Sequence, residues 1–197
     1  MWGAAQSPFP NERESGDAYV VQPGADGVLI AALDGAGHGP EAAAATRTAV
    51  AILRAFAGES LISLVLRCHE AIKGTRGVVM TLAFLGLRDQ TLTWLAVGNV
   101  EAVLLHAGTA HDTRSKRALG RAGVVGYQLP ALRPEVIPLE PLDTLLMATD
   151  GIEPAFADIV SPKEAPQRIA DKILARYRKT TDDALVVVAR YLGGGSP

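Results

Sequence analysis

The sequence predicts an α+β fold, a four-layer α-β-β-α sandwich with two antiparallel sheets face to face between helices. Three observations predict it. Apolar, β-branched runs recur with short turn signals between them, which favours hairpins and antiparallel pairing over long crossovers. The helical stretches are grouped, with two near residues 40–74 and one near 163–177, and do not alternate one-to-one with strands. With 197 residues and 48% hydrophobic content, the chain can bury a full core. A single domain is expected over residues 1–192, with 193–197 as a disordered tail.

In chain order, polar residues 11–17 lead into a short strand at Ala18-Tyr19-Val20-Val21. The turn cluster Pro23-Gly24-Ala25-Asp26-Gly27 contains an Asp-Gly pair that suits a hairpin. The apolar run from Gly27 to Leu33 then pairs antiparallel with the first strand and ends at Asp34. Gly35, Gly37 and Gly39 let the backbone turn sharply, and Pro40 suits the first turn of the helix that follows. That helix runs to about Ala57 and stops at Gly58, and a second starts from the N-cap Ser60 and runs to Gly74. Strands are expected at Val78–Leu85, Thr91–Val97 and Ala102–Leu105, joined by turns at Asp89-Gln90 and Gly98-Asn99 that imply antiparallel neighbours. Residues 107–134 are less regular. The run Asp143–Thr149 reads as a buried strand ending at Asp150-Gly151, followed by a short helix over Ile152–Phe156. An amphipathic helix over Lys163–Tyr177 turns Ile169, Ile173 and Leu174 inward, and Ala184–Ala189 is the last strand.

Formal net charge is −2, which argues against nucleic acid as the main partner, since phosphate backbones need a basic surface. The single cysteine, Cys68, excludes an internal disulfide, suits a reducing compartment, and lies in an apolar helical stretch where an inert thiol is expected. His69, in the same stretch, reads as a solvated or core histidine. No apolar run reaches the roughly eighteen residues of a membrane span, and the N-terminus lacks the features of a signal peptide. A cytoplasmic protein is expected.

Four acidic points share one pattern. Asp17 opens a strand, Asp34 and Asp150 each close a buried strand before a glycine, and Asp182-Asp183 open the last strand. Strand ends are where a sheet gathers residues distant in sequence. Carboxylates that converge repel strongly unless cations neutralise them. An oxygen-only ligand set suits hard ions such as Mg²⁺ or Mn²⁺, and two such ions sharing Asp34 could activate water and hold a phosphoryl group.

The order of motifs resembles the PPM/PP2C family of metal-dependent serine/threonine protein phosphatases, in its compact bacterial branch of sporulation and stress-response regulators. The matching residues are Arg13-Glu14-Ser15-Gly16-Asp17, Asp34-Gly35-Ala36-Gly37-His38-Gly39, Val97-Gly98-Asn99-Val100-Glu101, Thr149-Asp150-Gly151 and Asp182-Asp183-Ala184-Leu185. The resemblance implies the same sandwich and two divalent metal ions, Mn²⁺ or Mg²⁺. It implies that Asp34 bridges the ions, that Asp17 and the Gly35 carbonyl hold one, and that Asp150 and one of Asp182 and Asp183, with Asp182 favoured, hold the other. Arg13 stands where many members keep a phosphate-binding arginine; its alternative is a surface arginine. Ala36 replaces the histidine that follows Asp-Gly in many eukaryotic members, so either His38 or metal-bound water donates the proton. Asn99 and Glu101 depart from the usual aspartate and arginine, which leaves the third metal site of the family open here.

The basic cluster Arg114, Lys116, Arg117 and Arg121 is either a solvated loop or a docking surface for a phosphorylated partner, with Arg117 and Arg121 the docking residues. The resemblance implies partners among phosphorylated STAS-domain proteins of a stressosome, and a monomer is expected. Two other readings are a non-catalytic partner-binding member of the family and a nucleotide-binding domain. The second fits poorly, because the glycines are spaced Gly-x-Gly-x-Gly and the strands come as hairpins.

Overall fold

The computed structural model describes residues 1–107, 115–161 and 163–193. Among them, ten strands form two five-stranded sheets. Sheet A contains, in spatial order, β1 (Trp2–Ser7), β10 (Ala184–Arg190), β9 (Thr144–Ala148), β6 (Glu101–Leu105) and β7 (Ser115–Arg117). Sheet B contains β2 (Asp17–Pro23), β3 (Gly27–Gly35), β4 (Val78–Gly86), β5 (Thr91–Val97) and β8 (Glu135–Pro138). Every neighbouring pair is antiparallel, and the parallel sheet that a dinucleotide-binding fold needs does not occur among the described residues.

Three apolar clusters make the four layers. Alternation along β3 sends Leu29, Ala31 and Leu33 toward α1 (Pro40–Ala55) and α2 (Leu61–Ala71), and Ile30 and Ala32 between the sheets. The outer cluster joins Leu53, Leu64, Val65 and Cys68 to sheet B. The middle one joins Ile30, Ala83 and Trp94 of sheet B to Met147, Leu185 and Val187 of sheet A. The third seats Ile169, Ala170 and Ile173 of α3 (Pro166–Tyr177) on Leu146, Val186 and Val188. Each fully buried leucine in these layers contributes roughly 2 kcal/mol. Strands covered on both faces read as unbroken apolar runs, as β3 and β10 do.

The expected sandwich is present, with four differences in detail. β1 was not expected; its strand state comes from pairing with β10 at the edge of sheet A. Gly98-Asn99 is not a hairpin turn, because β5 lies in sheet B and β6 in sheet A. Gly98 has φ +90°, and a Cβ there would overlap Val79, so glycine makes this change of sheet possible. β7 and β8 were also unexpected. Finally, the turn after Asp150 leads into a 3₁₀ helix over Pro154–Ile159, and α3 starts at Pro166, not Lys163, with proline in its first turn. Of the basic cluster, Arg114 lies outside the described residues, as do 194–197 of the expected tail.

The end of the sandwich away from Asp34 is an apolar cleft lined by Val21, Val28, Ile30, Leu85, Ala189 and Tyr191, among others. Among the described residues, no helix is long and apolar enough to cross a membrane.

Candidate active site

Asp17 and Asp34 face each other as a cross-strand pair at one end of sheet B. Thr149-Asp150-Gly151, directly after β9, and Asp182-Asp183, directly before β10, come from sheet A. Hydrogen bonds tie the two sets together. The Thr149 hydroxyl donates to Asp17 Oδ2 at 2.7 Å and accepts from Leu185 N at 2.9 Å. Asp183 Oδ1 accepts from Phe9 N at 2.7 Å and Oδ2 from Gly16 N at 2.9 Å. Asn99 donates to Asp150 Oδ2 at 2.8 Å, and Lys179 Nζ donates to the Asp150 carbonyl at 2.6 Å.

Small residues make this gathering possible. A Cβ on Gly35 would lie 2.6 Å from both the Ala42 carbonyl and Thr46 Oγ1, so only glycine lets α1 press onto the end of β3. Thr46 Oγ1 then donates to the Gly16 carbonyl at 2.7 Å, fixing the residue before Asp17. A Cβ on Gly151 would overlap the Asp183 carbonyl, so the Asp-Gly turn backs directly onto the start of β10.

The electrostatics follow from the crowding. Burial, and then the neighbouring Asp34, push the Asp17 carboxyl up to about 9, against the Thr149 hydrogen bond that pulls it down. Burial, and then Asp150, Asp182 and Asp183, push Asp34 up to about 8. Asp182 is raised by partial burial and by Asp150, while the nearby His38 pulls the other way. A site that penalises negative charge this strongly is one that positive charge would stabilise. Among the described residues, no three His, Cys, Asp or Glu side chains are close enough to enclose an ion by themselves. A cation here would complete its shell with water and backbone carbonyl, as Mg²⁺ characteristically does. The acceptor-only oxygens fit such an ion.

The two members of the Asp182-Asp183 pair differ in setting. Asp183 is 2% exposed with both oxygens engaged by backbone amides, whereas Asp182 is half-buried and accepts only the Asp183 amide. His38 stacks on Phe9 with ring centroids 4.5 Å apart and pairs with Glu12 at 3.4 Å. Arg13 is exposed. Arg117 pairs with Glu101 at 2.7 Å, while Arg121 is half-buried and its carbonyl accepts from Gly98 N at 2.8 Å, next to the Asn99–Asp150 contact. Cys68 is buried, which pushes its thiol up to about 12. His69 Nδ1 accepts from Gly126 N at 3.0 Å, a structural tie. Sequence reasoning assigned no role to Thr149, Lys179 or Arg76. Thr149 sat inside a quoted motif; the other two are visible only through the fold.

The family model for Stage II sporulation protein E (SpoIIE) matches residues 24–192. The curated phosphoserine phosphatase RsbX of Bacillus subtilis (strain 168) is 26% identical over 89 residues, 45% of this chain and 45% of RsbX. The match thus spans less than half the length of that relative. A protein solved in work on the bacterial stressosome, described as a modular system adapted to control secondary messenger signalling, is 28% identical with a TM-score of 0.88, over 96% of this chain and 98% of that one. RsbX in complex with magnesium is 20% identical with a TM-score of 0.83, over 95% and 92% of the two chains. The PPM Ser-Thr phosphatase MsPP from Mycobacterium smegmatis, in complex with cacodylate, is also 20% identical, with a TM-score of 0.71 over 98% of each chain. At 20% identity the likeness is one of fold. The family match runs from β3 through β10 and takes in Asp34, Asp150 and Asp182, and the chain belongs to the Stage II sporulation protein E family, with the fold of the PP2C-type phosphatases.

Proposed function

We propose that this chain is a metal-dependent serine/threonine phosphoprotein phosphatase that acts on phosphorylated STAS-domain proteins of a stressosome. The observation that carries the reading is the convergence, in a member of this family, of carboxylates from both sheets at one strand end, where their own charge is disfavoured. Asp17, Asp34 and the Gly35 carbonyl would hold one divalent ion, with Mn²⁺ or Mg²⁺ in both places. Asp150 and Asp182 would draw in toward Asp34 to hold a second, since no three carboxylates enclose an ion among the described residues. When bound, the ions would activate water for attack on phosphorus and neutralise the phosphoryl oxygens.

The chain's own residues do the remaining work. Thr149 orients Asp17, and Asp183 pins the Phe9 and Gly16 backbone so that Asp17 stays opposite Asp34. Asp183 is thus assigned a positioning role and Asp182 the ligand role. Arg13 meets the phosphoryl group. His38, held by Phe9 and Glu12 and bearing on Asp182, returns a proton to the departing serine or threonine oxygen. Arg117 and Arg121 dock the phosphoprotein. The stressosome setting draws on the relatives RsbX and the stressosome protein, and on the acidic overall balance, which suits a phosphoprotein better than nucleic acid. The reading takes residues 1–192 as one catalytic domain, monomeric and cytoplasmic.

The test is phosphate release from phosphorylated STAS scaffold proteins and from an unrelated phosphopeptide, with Mn²⁺, Mg²⁺ or EDTA. Metal-dependent release, faster from the scaffold proteins and lost in Asp34→Asn, is expected. Equal rates on both substrates would end the stressosome assignment, and full Mn²⁺-dependent activity in Asp34→Asn would end the site assignment.

A further inference from the structure

Arg76 lies between α2 and β4, in a stretch with no motif of its own. The register places it beside the glycine loop. Gly35 pairs with Val78, the Ala36 amide donates to the Gly77 carbonyl at 3.1 Å, and Arg76 is therefore the residue facing Gly37. Its guanidinium is laid against that glycine, with Nη1 only 2.7 Å from where a Gly37 Cβ would stand. Gly37 has φ +86°, so its backbone selects glycine there. Arg76 Nε pairs with Glu41 Oε2 at 2.8 Å, which turns the rest of the fork toward the loop; the side chain is half exposed. Gly37 is three residues beyond Asp34, no more than about 10 Å along the backbone. A permanently charged, planar donor thus roofs the loop that directly follows Asp34.

We propose that Arg76 is a phosphate-binding residue of this site, gripping the substrate's phosphoryl oxygens from the side of the glycine loop. This rests on the phosphatase reading above. Arginine suits the role because its fork matches phosphate with two parallel hydrogen bonds, and Glu41 fixes its orientation in advance. Because the group gripped is the phosphoryl itself, Arg76 acts on every phosphomonoester alike, whatever protein carries it.

The experiment compares wild type, Arg76→Ala, Arg76→Lys and Glu41→Ala. It measures KM and kcat on a small aryl phosphate and on a phosphorylated STAS protein, and calorimetric binding of inorganic phosphate with Mn²⁺ present. Arg76→Ala is expected to raise KM on both substrates, and weaken phosphate binding, by about tenfold to a hundredfold, with kcat changed far less. Arg76→Lys recovers only part of the loss, and it supplies the reading if the alanine variant fails to fold. Glu41→Ala loosens the orientation of the fork but keeps the guanidinium, so its KM rises by a smaller factor than that of Arg76→Ala. Wild-type KM and phosphate affinity in Arg76→Ala would overturn the proposal. So would an equal loss in Glu41→Ala, which would make the ion pair merely structural. If wild type hydrolyses neither substrate, the phosphatase reading fails and the phosphate calorimetry decides the role of Arg76 alone.

Discussion

Removing the Asp183 side chain separates the two roles assigned to the adjacent acids. Its oxygens accept the Phe9 and Gly16 amides at 2.7 and 2.9 Å, and the residue is 2% exposed, so water cannot replace it. Hydrogen bonds to a charged acceptor contribute about 1.5–3 kcal/mol each, and two of them give about 3–6 kcal/mol. Against this, Asp183 adds repulsion to Asp17 and Asp34, and its loss relieves some of that. The net expectation for Asp183→Ala is a destabilisation of about 2–4 kcal/mol. Asp182→Ala removes one local bond and also relieves repulsion, so it should stay within about 1 kcal/mol of wild type while losing Mn²⁺-dependent turnover. Urea unfolding in EDTA measures the first quantity, and phosphate release over a Mn²⁺ titration the second. A wild-type urea midpoint in Asp183→Ala, or a greater destabilisation in Asp182→Ala, would refute the division of labour.

Three further outcomes are expected. Thr149→Val strands the Leu185 amide and removes the donor to Asp17, so it should cost about 2–3 kcal/mol in urea while Thr149→Ser costs little; equal stability of the two would show that the hydroxyl does not matter. Asp17 and Asp34 titrate far above the unfolded value of 3.8, so between about pH 4 and 8 the folded protein holds more protons than the unfolded chain, and stability falls as pH rises. In EDTA, Tm should therefore climb on acidification from pH 8 to 5, with Mn²⁺ offsetting the deficit at pH 8; a Tm that rises with pH over that range would contradict the crowding. Neutralising Arg117 and Arg121 should raise KM for the phosphoprotein and leave aryl phosphate turnover alone, whereas equal loss on both substrates would indicate damage to the fold.

Much of this architecture was legible because its signals are local. Apolar runs covered on both faces, the Ser60 N-cap and the Asp-Gly strand ends are written within a few neighbouring residues. What was not legible depends on contacts distant in sequence. Trp2–Ser7 has little β-branched character and becomes a strand through β10. Ser115–Arg117 is exposed throughout and carries no apolar pattern. Gly98-Asn99 has the chemistry of a hairpin turn, and only the placement of its flanking strands makes it a passage between sheets. The candidate site divides the same way. Its carboxylates were visible one by one. Which of two adjacent aspartates turns inward is decided by the Phe9 and Gly16 amides that Asp183 meets, and Arg76 reaches the glycine loop only through the β3–β4 register.

The two ends of the sandwich are closed by different physics, and so they should answer differently to cold. At the carboxylate end, the Thr149–Asp17 and Asp183–Gly16 bonds stitch one sheet to the other. At the opposite end, Val28, Ile30, Leu85 and Tyr191 meet around an apolar cleft. Apolar attraction weakens on cooling, while hydrogen bonds have no such dependence on the ordering of water around hydrocarbon. Near freezing, amide protection should therefore fall first where β3 begins and β4 ends, with the strand termini that carry the aspartates still shut.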